Sequence, residues 1–176
     1  NALKLDSGVS LLNKKLLILG AGGAARGVCM AVAMCQPMNI TIANRNLLRA
    51  SDLVVDLQRQ YGGHVESISL YDANLHRIAA NADVIVQTTT IGMRHGPDEA
   101  GKSIPTFRIS PSSIVYDLVY NPNITPFMQM AKQQTTQVYG GLSMLVCQGA
   151  VAFKLWTGVQ PPTDIMFRIA RNELEK

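Results

Sequence analysis

The sequence predicts an α/β fold, with a doubly wound, mostly parallel six-stranded sheet and helices on both faces. Three observations carry this expectation. Short runs rich in Val, Ile and Leu alternate with longer helical stretches along the whole chain. Most of those runs are apolar throughout instead of alternating, as strands buried on both faces must be. The chain has 176 residues, 47% hydrophobic and 16% charged, enough for one ordinary domain with a substantial core.

Each element has its own reason. "KLLILG", Lys15 to Gly20, reads as a fully buried first strand. A small-residue helix follows from Gly23 to Cys35 and stops near Pro37. "NITIAN", Asn39 to Asn44, is the second strand, and Leu47 to Tyr61 an amphipathic helix ended by Gly62-Gly63. "HVESISL" makes a third strand, Asp72 to Ala80 a short helix, and Asp83 to Thr89 a fourth strand. A polar Gly- and Pro-containing loop, Arg94 to Ser112, precedes the fifth strand, Ser113 to Tyr120. Thr125 to Gln133 is expected to be helical, with Pro126 tolerated in the first turn. "TQVYG" is the sixth strand, Leu142 to Trp156 a strong helix, and Pro162 to Leu174 a closing one. Residues 1–13 are expected as a lead-in segment or helix, 14–160 as the main domain, and 161–176 as a C-terminal helix. The lead-in and the loop before Ser113 are expected to be weakly ordered.

Composition excludes several classes. No apolar run reaches the ~18 residues a membrane span needs, and no charged-then-apolar leader is visible, so a cytoplasmic chain with no membrane partner is expected. The net charge of +4 is mild, and Arg26, Arg45, Arg49, Arg59, Arg77, Arg94 and Arg108 are scattered, not interleaved with aromatics. Nucleic acid is therefore not the expected partner, and a small phosphorylated ligand accounts for the excess as well. Cys29, Cys35 and Cys147 form no CxxC pair and His64, His76 and His95 no ligand spacing, so no metal site is expected. Cys29 and Cys35 are expected to pack as small apolar residues on one helix.

The chemistry begins at "LLILGAGGAARGV". Gly20, Gly22 and Ala25 stand at the GxGxxG/A positions, straight after a strand and opening a helix. Gly20 permits the tight turn, Gly22 lets a pyrophosphate approach the backbone, and Ala25 allows close helix-to-strand packing. The helix N-terminus offers unpaired N–H groups and a positive dipole end. Such turns also occur for packing alone. About 20 residues further on, NAD-binding units carry an acid for the ribose 2′-hydroxyl. Here the second strand ends in "ANRNLLRA". Asn44 can donate without repelling a phosphate, and Arg45 and Arg49, four apart, can face a 2′-phosphate together. A solvated helix start with two surface arginines is the plainer alternative. The expected cofactor is NADP.

Two later stretches add to this. "VQTTTIGM" follows the fourth strand, where switch-point loops reach a cofactor. On the helix in "YGGLSMLVCQGAVAFKLWTG", Met144 and Gln148 share one face, and a buried amide there needs a partner. That partner could be a ligand or a neighbouring backbone.

In order along the chain, "GAGGAARGV", "NRN..R", "TTTIGM", "YDLVYNPNITPF" and "GGLSMLVCQGAVAFKLWTG" resemble the shikimate dehydrogenase family, specifically its C-terminal, NADP-binding half. The resemblance implies reversible oxidation of shikimate to 3-dehydroshikimate with NADP, in aromatic amino-acid biosynthesis. It makes Gly20, Ala21, Gly22, Gly23, Ala24 and Ala25 the pyrophosphate turn, and Asn44, Arg45, Asn46 and Arg49 the adenosine-phosphate clamp. It places Thr88, Thr89, Thr90 and Met93 beside the nicotinamide ribose, and Val119, Gly141 and Met144 at the nicotinamide. It assigns Tyr120 and Gln148 to the substrate. Asn46 stands where the family often has Thr, Gly140 where Asp or Asn is frequent, and Ser143, where Gly is common, adds a side chain near the nicotinamide. The family's catalytic Lys and Asp belong to a preceding N-terminal substrate domain. None of Lys4, Lys14, Lys15, Lys102, Lys132, Lys154 or Lys176 stands in matching context, so no catalytic residue is expected in this chain, and little turnover by it alone. A quinate-using dehydrogenase and a non-catalytic NADP-sensing module are the alternatives.

Overall fold

The computed structural model describes residues 2–174. Asn1, Glu175 and Lys176, which belong to the expected lead-in and C-terminal segments, lie outside the described residues. After α1 (Ala2–Ser7), the first half runs β1 (Lys15–Leu19), α2 (Gly23–Ala33), β2 (Asn39–Asn44), α3 (Leu47–Tyr61), β3 (Val65–Ser69), α4 (Asn74–Asn81) and β4 (Val84–Gln87). The second half runs β5 (Ile114–Asp117), α5 (Pro126–Lys132), β6 (Val138–Tyr139), α6 (Leu142–Thr157) and α7 (Thr163–Leu174). All strand pairs are parallel, in the order β3-β2-β1-β4-β5-β6.

The period-two geometry of the strands splits the core between two layers. Leu16, Ile18, Ile40 and Ile42 pack with Ala25 and Cys29 of α2 and Leu53 and Leu57 of α3. Their strand neighbours Leu17, Leu19 and Ala43 point the other way, to Leu75 and Ala79 of α4 and Phe127 and Ala131 of α5. Residues buried on both faces explain the unbroken apolar runs of β1 and β4. At the edge, β3 is only half-covered, and Glu66 is exposed.

Several expectations change at element ends. The fifth strand stops at Asp117, three residues short of Tyr120, because the Asp117 carboxylate accepts the Val119 N–H at 3.0 Å and turns the chain out of the ladder. The sixth is reduced to Val138–Tyr139, since the Gln137 N–H is taken by the Thr135 hydroxyl. Helix α2 ends at Ala33, so Cys35 lies beyond it and is exposed, whereas Cys29 is buried. Burial pushes the Cys29 thiol up to about 12, with Arg26 pulling the other way.

The two segments expected to be weakly ordered are tied down. Helix α1 packs on α6, and Asp6 accepts the Tyr116 hydroxyl at 3.0 Å and the Ser143 hydroxyl at 2.7 Å. In the long loop, Phe107 and Ile109 are buried, and Phe107 meets Phe127 edge-on at 6.3 Å. Gln134 clamps that loop by donating to the Phe107 carbonyl and accepting the Ile109 N–H. Neither tie is local in sequence.

Candidate functional site

The chain leaves β1 towards the α2 face and leaves β4 towards the opposite one, so a crevice opens between them at the strands' C-terminal ends. A cleft of about 500 Å³ fills it. Gly20–Ala24, Asn44, Arg45, Arg49 and Thr88–Thr90 all line this cleft.

The glycine turn divides into two jobs. Gly20 has φ +113°, and a Cβ there would lie 2.6 Å from Thr88 Oγ1 and 2.8 Å from Thr89 Cγ2. Packing of the turn against the β4 loop therefore demands glycine. Gly22, the α2 N-cap, has an ordinary φ of −90° and no capping side chain. A Cβ at Gly22 or Gly23 would meet no other atom within 4 Å. Nothing in the fold requires glycine there, and the space opens at the helix start. The first helical bond runs from the Arg26 N–H to the Gly22 carbonyl, which leaves the preceding N–H groups for an acceptor outside the helix. Ala25 faces away and is fully buried in the core.

The β4 loop is held from beneath. The Thr88 hydroxyl donates to the Leu19 carbonyl at 2.8 Å. Gln87 is fully buried; its amide donates to the Ile91 carbonyl at 3.0 Å and its oxygen accepts the Thr89 N–H. Met93 lies half-buried further along and does not line the cleft.

At the end of β2 the amides are engaged within the turn. Asn44 donates to the Asn46 carbonyl at 2.7 Å, and the Asn46 side-chain oxygen caps α3 by accepting the Arg49 N–H. Asn46 lies outside the cleft lining. Arg45 and Arg49 are exposed, and among the described residues neither guanidinium has a carboxylate partner, whereas Arg26 is paired with Asp56 at 2.6 Å. Arg45 and Arg49 lie together at the cleft, and Arg26 does not line it.

The remaining expected site residues form a second group beyond β5. Gly141 donates its N–H to the Val119 carbonyl at 3.2 Å, and its Cα is pressed against the Leu118 backbone, where a Cβ has no room. Met144 is half-buried against the α2-face core. Tyr120 is 40% exposed. Gln148 is exposed as well, and its side-chain amide makes no hydrogen bond among the described residues, which overturns the expectation of a buried amide. The Ser143 hydroxyl is committed to Asp6.

The cleft also takes residues that periodicity does not single out. Tyr71 follows β3, and Pro97, Asp98, Ser103 and Ile104 come from the long loop. Asp98 is occupied by its own turn, accepting the Ser103 N–H at 2.7 Å and the Lys102 N–H at 3.1 Å. Hydrogen bonds from Ser103, then that of Lys102, hold its carboxyl below the usual range. Gly96, Pro97, Asp98 and Gly101 are the local turn signals there. A larger hollow of about 630 Å³ at the opposite end of the sheet, around Lys15, Asn39 and Glu66, is flanked by Gly63 and the C-terminal ends of α3 and α4, not by a helix start.

A glycine turn opening a helix at the switch point of a parallel sheet in this order defines a Rossmann-like domain. Residues 3–139 match the family profile described as shikimate / quinate 5-dehydrogenase, and residues 141–168 that of the shikimate 5′-dehydrogenase C-terminal domain. The chain belongs to the shikimate dehydrogenase family. It is 38% identical over 172 residues to a shikimate dehydrogenase (NADP(+)) of Methanocella arvoryzae, covering 96% of this chain and 60% of that protein. Among solved structures, a Listeria monocytogenes shikimate 5-dehydrogenase in complex with shikimate and NAD matches with TM-score 0.85 and 30% identity, covering 95% of this chain and 59% of that one. A Thermus thermophilus shikimate 5-dehydrogenase in complex with NADP(H) and shikimate matches with TM-score 0.74 and 32% identity over 97% and 59% of the two chains. The chain thus spans about 60% of the length of the relatives it matches. The profile described as C-terminal covers only the α6–α7 region, so that label does not extend to the whole chain.

Proposed function

We propose that the cleft holds NADP(H), and that this chain is the cofactor-holding part of an NADP-dependent shikimate dehydrogenase. The observation that carries the reading is the pair of uncommitted arginines, Arg45 and Arg49, at the strand end where an acid would select NAD. The fit is supported by the bare backbone at Gly22 and Gly23, where a side chain would intrude on a ligand and not on the protein. Asp98, on the long-loop side of the cleft, is turned to its own loop by the Ser103 and Lys102 N–H groups.

In this reading Gly20–Ala24 receive the pyrophosphate at the α2 start, and Arg45 and Arg49 grip the 2′-phosphate by charge-assisted bonds. Thr88–Thr90 position the ribose next to the nicotinamide, and Val119, Gly141 and Met144 bound the nicotinamide itself. When bound, the nicotinamide supplies or accepts the hydride. Tyr120 and Gln148, both exposed, are left to meet the hydroxy acid. Oxidation of a hydroxyl also needs an acid–base group within hydrogen-bond reach. No lysine of this chain is assigned that role, and the reading places it in the part of the relatives' length that this chain does not span.

Calorimetric titration of the chain with NADP+ and NAD+ tests the proposal. NADP+ should bind more tightly, and Arg45→Ala should weaken NADP+ about tenfold or more and weaken NAD+ clearly less, so that the NADP+ preference shrinks. Equal affinity for the two, unaffected by the substitution, would overturn it.

A further inference from the structure

Resting on that reading of the cleft, we propose that Tyr71 is the second wall of the base site, closing the purine ring against the Arg45 guanidinium. Strands β2 and β3 are paired in register, with Asn44 opposite Ser69, and the Leu70 N–H donates to the Asn44 carbonyl at 3.1 Å. That register puts Arg45 opposite Leu70 and Tyr71 one residue further on, so both leave adjacent strands at the C-terminal end of the sheet, and both line the cleft. Adjacent strands lie about 4.8 Å apart, so two planar groups diverging from their ends can admit one flat ring between them.

The local chain sets Tyr71 outward. Leu70 is turned into the core at 4% exposure, and Tyr71 next to it is 61% exposed. Its N–H is held by the Ser69 hydroxyl at 3.3 Å, and the Asp72 N–H closes on the Ser69 carbonyl at 3.1 Å. The paired rings of the described chain are Phe107–Phe127 and Tyr116–Tyr139; Tyr71 has no such neighbour. With the pyrophosphate at the α2 start and the 2′-phosphate at Arg45 and Arg49, the base lies on the β3 side of the ribose. An aromatic face and a guanidinium plane both suit a purine. Tyr71 would thus read the base and ignore the 2′-phosphate, while Arg45 reads both.

The test is titration of the wild-type chain, Tyr71→Leu and Tyr71→Phe with NADP+, NAD+ and adenosine 2′,5′-bisphosphate. Calorimetry is combined with the hypochromic change of the adenine absorption band on stacking. Tyr71→Phe should stay within about twofold of wild type, and Tyr71→Leu should lose about five- to twentyfold for all three ligands. The NADP+ to NAD+ ratio should be unchanged in Tyr71→Leu, and part of the hypochromic change lost. A folded Tyr71→Leu, checked by its thermal melt, that binds the bisphosphate as tightly as wild type would overturn the inference and leave the cleft reading standing. A wild-type chain that binds none of the three would overturn both.

Discussion

Asp117 is a carboxyl held in the protein's interior at an electrostatic cost. It is fully buried at the C-terminal end of β5, beside Gln87 of β4 in the register. Its two oxygens accept the Thr125 hydroxyl at 2.6 Å and the Val119 N–H at 3.0 Å. Burial pushes its carboxyl up to about 6, and those two hydrogen bonds pull only partly the other way. A raised carboxyl means that between about pH 4 and 6 the folded chain binds more protons than the unfolded one. Stability therefore falls as pH rises through that window, by about 2–3 kcal/mol from this group, and is level above it. Asp117→Asn removes the titration. Urea unfolding at a series of pH values should show the downward slope between pH 4 and 6 shrink in the variant; an unaltered slope would assign it to other groups. The carboxylate joins two pieces of the chain that follow β5. It starts α5 through Thr125, and it sets the turn that presents Val119 and Tyr120.

Among the elements, α1 shows how a short helix is held by contacts rather than by propensity. Six residues are too few for a helix to be stable alone in water. Asp6 compensates by accepting hydroxyls from Tyr116 on β5 and Ser143 on α6, and burial first, then Asp6, pushes the Tyr116 phenol well above its usual value. Asp6→Ala leaves the Tyr116 hydroxyl without its partner, at a cost of about 1–3 kcal/mol. Denaturant unfolding should show that loss, and in a cycle with Ser143→Ala the two changes should be less than additive. Additive losses would mean that the Asp6–Ser143 bond contributes nothing. This tie also marks where sequence reasoning stops. β2 and α3 have the ends that their patterns predict, because Asn39–Asn44 is a mostly β-branched run between two asparagines and Gly62 closes the helix. Asp6, by contrast, meets residues 110 and 137 positions away, and no local periodicity carries that information. The burial expected of Gln148 is not met for a related reason: its apolar neighbours predict a buried face, but α6 leaves much of its surface uncovered. The turn, Arg45 and Arg49 were legible because their spacing is local. Tyr71 was not, because its place in the cleft depends on β3 lying beside β2.

Over the whole molecule, stability is divided unevenly between the sheet and the last two helices. β1, β4 and β5 are buried almost end to end, while α7 contributes no buried residue and packs mainly on α6. Along α6 the exposure rises towards its end, where Leu155 is 78% and Trp156 84% exposed. Little apolar area is lost to water when α7 lifts away, so its hydrogen bonds should open locally at low free energy, while those of β1 and β4 open only with global unfolding. The cofactor adds a second contrast. The cleft is built from the ends of β1, β2, β3 and β4 and part of the long loop, and no α7 residue lines it. A ligand at a hundred times its Kd stabilises whatever unfolds with its site by about 2.7 kcal/mol and leaves local openings elsewhere unchanged. Hydrogen exchange, measured with and without NADP+, should therefore show α7 amides exchanging fastest among the helices, with little dependence on denaturant and none on the cofactor. The amides of β1, β2 and β4 should slow by close to a hundredfold under the same conditions. If α7 is as protected as β1, or slows along with it when NADP+ is added, the helix belongs to the same cooperative unit as the sheet, and its exposed face is no measure of how firmly it is held.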